Sequence, residues 1–345
     1  MTNEKTASGY VLEKGEKPTL KTIARLSGLA VPTVSRALSG APDIGAATKK
    51  LVRRIADEIG YVPNRAGVRL RTGKTNVISL ILAPESDMMN HTARLINAIA
   101  ETLRGTQYHL IITHMFQDED KLKPVRYIVE TGSADAIIMN QTEPDDPRVA
   151  YLMEKKFPFA THGRTGSEKH AYFDFDNVEF GRIGVEELVR RGRKHLILIA
   201  PPQSQYYAKN TIEGASAAAE AAGVYLRTVR RTNSDESGEG VRAIVQNILE
   251  HEPEVDGIIC SSPTAAMGSV AAAEQIGRAV GADIDIFGKE AVPFLKLFRK
   301  EIIVMPENVS QAGEFLARAV MQAINEPDLP PLQALEVPDP ARLNK

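Results

Sequence analysis

Three residues in the first forty carry the chemistry of a nucleic-acid surface. In Val31-Pro32-Thr33-Val34-Ser35-Arg36-Ala37-Leu38, helical spacing turns Val34, Ala37 and Leu38 inward and leaves Thr33, Ser35 and Arg36 outward. Two hydroxyls and a guanidinium suit phosphate oxygens and guanine edges. Charge points the same way. Residues 1–74 hold 14 Lys and Arg against 6 Asp and Glu, a net +8, which leaves −10 on the remainder of a chain whose total is −2. A basic head on an acidic body suits a polyanionic partner for the head alone. A merely solvated basic face would carry the same charge, so the order of the residues has to decide.

No comparable concentration of catalytic chemistry follows. The seven His residues show neither H-E-x-x-H nor paired Cys/His spacing, so no metal is expected. G-x-S-x-G and G-x-G-x-x-G are both missing. Gly67 to Thr75 has five residues between its glycines, where a phosphate-cradling loop has four, and it follows a helix instead of a strand. Asp174 and Asp176, two apart, would share one face of a strand as solvated or structural carboxylates. The expectation is therefore no catalytic residues, no cofactor and no enzyme.

The elements that position the outward residues can be read locally. Thr19 is placed to cap a helix whose stripe is Leu20, Ile23 and Ala24. Gly28 supplies the positive φ of a tight interhelical turn. Pro32 falls in the first turn of the second helix, Val31 to Leu38, where a missing N–H costs little. A third helix, Thr48 to Ile59, turns Leu51, Val52, Ile55, Ala56 and Ile59 inward. Three short helices with the second exposed form a helix-turn-helix, which sets that helix in the major groove.

TLKTIARLSGLAVPTVSRALSG, the third helix and YVPNRAGVRLRTGKT together resemble the head of the LacI/GalR family of bacterial repressors. The resemblance implies that residues 61–74 are a hinge folding on operator DNA. Asn64 would cap its helix, Leu70 would wedge into the minor groove, and Arg65, Arg69 and Arg71 would reach phosphates. The DNA-binding set is then Thr19, Val31, Pro32, Thr33, Ser35, Arg36, Asn64, Arg65, Arg69 and Leu70. Val31 and Pro32 stand where relatives often present polar base readers, and Ala30 where they often have a Ser cap, so no operator sequence carries over.

From residue 75 short β-rich runs alternate with amphipathic helices, the signature of parallel sheets covered by helices. The expected strands are 77–82, 109–113, 136–139, 159–162, 196–200, 224–229, 257–260, 284–287 and 302–304. Two doubly wound lobes would hold a ligand between them, at the carboxyl ends of the strands. The resemblance implies a periplasmic-binding-protein-like core crossed three times by the chain.

The same resemblance places Asp176-Asn177 at a lobe crossover and Gly163-Arg164 at the end of the preceding strand. Arg164 would bind ligand or hold the crossover through a backbone carbonyl. Asn140, at a strand end, points where a cleft should be, or caps the following loop. Thr211 and Pro263 replace an Arg and an Asp that hold sugars in relatives, and Gly288-Lys289-Glu290 replaces Gly-Phe-Asp. Lys289 raises the alternative of an acidic effector. The candidate effector set is Asn140, Arg164, Asp176, Tyr206, Asn210, Thr211, Pro263 and Lys289.

The expected organisation is a flexible extension over 1–18, a helix-turn-helix domain over 19–60, the hinge over 61–74, and an effector-binding and dimerisation core over 75–345. Its first lobe would take about 75–176 and 306–324, its second about 177–305 and 325–338. The expected protein is a DNA-binding regulator, a repressor of carbohydrate genes or alternatively an activator, tuned by a sugar-like or modified-sugar effector. Two heads on a pseudo-palindrome predict a homodimer bound to double-stranded operator DNA, and the tail from Glu326 carries no leucine heptad that would add tetramerisation. One cysteine, Cys260, no secretion-type apolar run and no membrane-spanning run predict a cytoplasmic location.

Overall fold

The computed structural model describes residues 12, 15–62, 67, 69, 73–82, 89–116, 118–167 and 169–343, and the chain divides into two compact units, Met1–Thr75 and Asn76–Lys345.

The first unit packs α1 (Leu20–Ser27), α2 (Val31–Leu38) and α3 (Ala46–Glu58) around fully buried Ile23, Val34, Ala37, Val52 and Ile55. Thr19 caps α1 reciprocally: its hydroxyl accepts from the Thr22 N–H at 3.2 Å, and its own N–H donates to Thr22 Oγ1 at 3.3 Å. Gly28 takes φ +72°, the left-handed turn a side chain would resist. Ala30 gives α2 no side-chain cap, so that helix starts on Pro32 alone.

The second unit holds two all-parallel sheets. The first sheet contains β1 (Val77–Leu82), β2 (His109–His114), β3 (Ala136–Met139), β4 (Phe159–His162), β5 (Ala171–Phe175) and β11 (Gln333–Glu336), in the order β11-β5-β4-β3-β1-β2. The second contains β6 (His195–Ile199), β7 (Tyr225–Thr228), β8 (Gly257–Cys260), β9 (Asp285–Glu290) and β10 (Ile303–Pro306), in the order β10-β9-β8-β6-β7. Central strands β1 (VISLIL), β3 (AIIM) and β8 (GIIC) are buried at every residue, because helices cover both faces.

Helices α4 (Met89–Leu103), α5 (Leu122–Thr131), α6 (Pro147–Glu154) and α12 (Val309–Asn325) belong with the first sheet. With the second belong α7 (Asn177–Arg190), α8 (Tyr206–Ala222), α9 (Gly238–His251), α10 (Pro263–Gln275) and the single turn α11 (Leu295–Phe298). Among the described residues no helix is long and apolar enough to cross a membrane.

Two placements differ from the sequence expectation. Asp176 does not share a strand face with Asp174. It leaves β5 at φ −74°, ψ 90° and caps α7, its Oδ1 accepting from the Glu179 N–H at 3.1 Å. Residues 325–338 do not join the second lobe as a block, because Gln333–Glu336 forms β11 and covers the open edge of β5. The Asp176 N–H donates to the Glu336 carbonyl at 2.8 Å, tying the first crossing to the third. Only after Glu336 does the chain pass back to the second sheet, where the turn Pro340–Arg342 lies against β10.

Candidate functional site

On the head, α2 exposes Pro32 and Arg36 and leaves Val31, Thr33 and Ser35 half-buried beside them. Arg36 pairs with Asp43 in the turn that follows α2. The hydroxyl of Thr19 is taken by its cap. Arg69 is exposed, whereas Asn64, Arg65, Leu70 and Arg71 lie outside the described residues.

In the second unit the carboxyl ends of both sheets face one cavity of about 490 Å³, within the roughly 300–1,000 Å³ usual for small-molecule sites. The first sheet contributes Asn140 after β3, His162 and Gly163 at the end of β4, and Asp174 and Phe175 of β5, while α4 adds His91. The second contributes Ser234 and Asp235 beyond β7, Ser261 after β8, Pro263 and Met267 of α10, Lys289 of β9, and Tyr207 of α8. Glu307 lies at the second crossing, between β10 and α12. The Tyr206 N–H donates to the Thr142 carbonyl at 2.8 Å, a backbone bond from one lobe to the other. Gly163, at φ +108°, is required where it stands: a Cβ there would sit 2.8 Å from the Thr142 hydroxyl.

The electrostatics of the cleft centre on Lys289. Its Nζ lies 3.2 Å from Glu307 Oε2, donates to Asn177 Oδ1 at 3.3 Å, and stands 4.8 Å from the centre of the Phe175 ring. Burial pushes the Glu307 carboxyl up, but Lys289, His91 and His162 together outweigh it and hold the group well below the usual carboxylate range. Burial, with help from His91 and Lys289, pushes His162 down to about 3, so its ring is neutral. The His91, His162 and Glu307 ligand atoms lie within 4.8 Å of one another. The two rings stack face to face at 5.3 Å, and Lys289 pairs with the carboxylate. The arrangement ties His91 and Lys289 to one carboxylate.

Four polar atoms of the cleft find no hydrogen-bond partner among the described residues: His91 Nδ1, Asn140 Oδ1, Asp235 Oδ2 and Ser261 Oγ. Burial raises the Asp235 carboxyl above its ordinary value. Buried polar atoms left open in this way mark where a ligand supplies the partner.

Of the eight effector candidates, Asn140, Pro263 and Lys289 line the cleft. Arg164 is not among the lining residues; its Nε donates to the buried carboxylate of Asp174, which is, at 2.8 Å, a partner other than the backbone carbonyl foreseen. Asp176 is spent as a cap, and Tyr206 contributes its backbone. Thr211 is fully buried and donates to the Tyr207 carbonyl at 2.8 Å, because α7 and α8 touch there. A Cβ on Gly181 would come 2.4 Å from the Thr211 carbonyl. Asn210 is buried on the same helix, away from the cavity lining.

Sequence reasoning missed His91, His162, Asp235, Ser261 and Glu307. Ser261 directly follows β8 and His162 ends β4, so the strand-end rule alone would have found them, whereas Asp235 lies seven residues past β7. His91, on a helix, and Glu307, at a crossing, carry no local signal.

Residues 75–333 match the family described as periplasmic binding proteins and sugar binding domain of LacI family, and residues 19–64 match bacterial regulatory proteins, lacI family. The chain is 30% identical over 319 residues to the HTH-type transcriptional regulator AglR of Rhizobium meliloti (strain 1021), covering 90% of this chain and 89% of AglR. It is 26% identical over 285 residues to the HTH-type transcriptional regulator CelR of Thermobifida fusca, covering 80% and 83%. Among solved structures, the transcriptional regulator CelR–cellobiose complex superposes with a TM-score of 0.69 at 21% identity, covering 94% of this chain and 98% of that one. The Lac repressor dimer bound to operator and the anti-inducer ONPF superposes with a TM-score of 0.79 at 18% identity, covering 94% and 97%. With a helix-turn-helix head, a two-sheet core open at its strand ends, and both family matches in register with them, the chain belongs to the LacI family of bacterial regulatory proteins.

Proposed function

We propose that this regulator reads a pseudo-palindromic operator as a cytoplasmic homodimer and represses carbohydrate genes, with a small sugar in the cleft changing its operator affinity. Arg36, Thr33 and Ser35 face the major groove, and residues 61–74 serve as the hinge, with Leu70 as its wedge. The observation that carries the effector reading is the trio of open acceptors, Asn140 Oδ1 from one lobe and Asp235 Oδ2 and Ser261 Oγ from the other. Sugar hydroxyls donate to all three at once and so favour one lobe arrangement. A ligand shifts such an equilibrium only by its differential affinity for the two states. The exposed apolar side chains of edge strand β2, Ile111 and Ile112, with Phe116 just beyond it, support pairing of two copies.

The test is fluorescence anisotropy with duplexes from upstream of its own and neighbouring genes, across a salt series. A sugar panel is added, beginning with cellobiose because CelR has been solved with it. Specific binding that one sugar alters is expected. Binding no tighter than to random duplex, and indifferent to every sugar, overturns the reading.

A further inference from the structure

We propose that Glu307 silences Lys289, so that the cleft rejects acidic ligands and selects a neutral, hydroxyl-rich one. This rests on the cleft being the effector site. Among the described lining residues Lys289 is the sole Lys or Arg, and a lone cation in a ligand cleft invites an anion. Three sides of this ammonium are occupied. Glu307 Oε2 takes one side at 3.2 Å, Asn177 Oδ1 another at 3.3 Å, and the Phe175 ring face closes a third at 4.8 Å. The side chain is 13% exposed, so water does not screen the pair away.

The remaining charges lean negative. Arg164 neutralises Asp174. Asp235 and Glu290 also line the cavity, and neither has an ion-pair partner among the described residues. An incoming carboxylate or phosphate would therefore meet two acidic groups without a salt bridge and no unpaired Lys or Arg among the described lining residues. Of the open atoms, Asn140 Oδ1 and the carboxylate Asp235 Oδ2 accept, Ser261 Oγ can do so, and His91 Nδ1 accepts when the ring proton sits on Nε2, the nitrogen that faces Glu307. The matching ligand brings O–H donors and no net negative charge.

The pairing makes an unusual prediction, that removing an acid creates an anion site. The full-length protein is assayed by thermal unfolding and calorimetry with glucuronate and sulfate, each against sodium chloride at matched ionic strength. Wild type should show no saturable binding of either. Glu307→Gln should bind glucuronate at least ten-fold more tightly than wild type, and adding Lys289→Met should abolish the gain, which traces it to the ammonium. Saturable glucuronate binding by wild type that Lys289→Met removes overturns the proposal. So does a Glu307→Gln protein that is folded by circular dichroism and gains nothing. If no sugar of any charge binds wild type while Glu307→Gln still gains the anion, the silencing stands and the sugar reading alone falls.

Discussion

Arg148, on α6, donates from Nη2 to the backbone carbonyl of Asn140 at 3.2 Å, fixing the cleft residue through its main chain and leaving its side-chain oxygen open. The same Nη2 reaches the Gln141 carbonyl at 2.9 Å, where the backbone sits at φ +52°. Asp146 holds the guanidinium in a two-pronged pair, Nε to Oδ1 at 3.0 Å and Nη2 to Oδ2 at 2.7 Å, with both side chains about 1% exposed. Arg148→Met leaves a buried carboxylate unpaired, and urea unfolding should register a loss of about 3–5 kcal/mol. Combining it with Asp146→Leu should restore only part of that stability, because Asp146 also caps α6 and accepts the Glu143 N–H, and sugar affinity should stay low, because the clamp on Asn140 and Gln141 is gone. Full recovery of affinity in the double variant would show that the ion pair does not position the cleft.

Asn140 and Asp235 should separate binding from folding in the opposite way. Neither Asn140 Oδ1 nor Asp235 Oδ2 contributes a bond to the fold among the described residues. Asn140→Ala and Asp235→Asn should therefore lower affinity for the sugar found in the panel by ten- to a hundred-fold, about 1.4–2.8 kcal/mol, at near-constant thermal stability. Asp235→Asn should even stabilise slightly, since burial already disfavours the charged form. Calorimetry and thermal unfolding of the same samples check both halves, and an unchanged affinity in either variant would remove that residue from the site.

How far these features could be read in advance depends on whether their cause is local. The Thr19 cap, the Gly28 turn and the β1 run Val77–Leu82 are legible because neighbours a few residues apart dictate them. Strand β11, Gln-Ala-Leu-Glu, is legible only from its partner: a short, polar, half-exposed segment reads as tail until β5 offers an edge. Lys289 was visible as a cation near the cleft. Its meaning depends on Glu307, eighteen residues on and across a lobe crossing, and on a Phe175 ring from the other sheet. Thr211 misled for a similar reason. Its place in the chain matches a sugar-binding position, but the close approach of α7 to α8 at Gly181 buries it.

His162 should leave a mark on the pH dependence of stability. Its folded pKa, about 3, lies below the roughly 6.5 of an unfolded His, so on acidification the unfolded chain takes up the proton first. The stability belonging to the neutral ring is therefore complete above about pH 6.5 and is lost as pH falls toward 3. Between pH 7.5 and 5 the loss is about 2 kcal/mol. His162→Gln lacks this titration, so its stability deficit against wild type should shrink by about that amount over the same interval. A constant gap in urea midpoints at the two pH values would mean that the ring is charged or solvated in the native state.

Arg36 and Asp43 offer the corresponding test on the head. Their ion pair is exposed, at 58% and 48%, and such pairs add about 0–1 kcal/mol to stability. Asp43→Ala should leave the melting temperature nearly unchanged while tightening operator binding a few-fold, because it frees the guanidinium and removes a negative charge beside the phosphates. Arg36→Ala should cost about 1–3 kcal/mol on the operator and relax sequence preference at one base position, with the salt slope preserved. Anisotropy across a salt series, on the operator and on single-base variants of it, distinguishes a base reader from a phosphate anchor. A uniform loss on every duplex, with the slope reduced by about one, would assign Arg36 to the backbone and leave base reading to Thr33, Ser35 and the apolar start of α2.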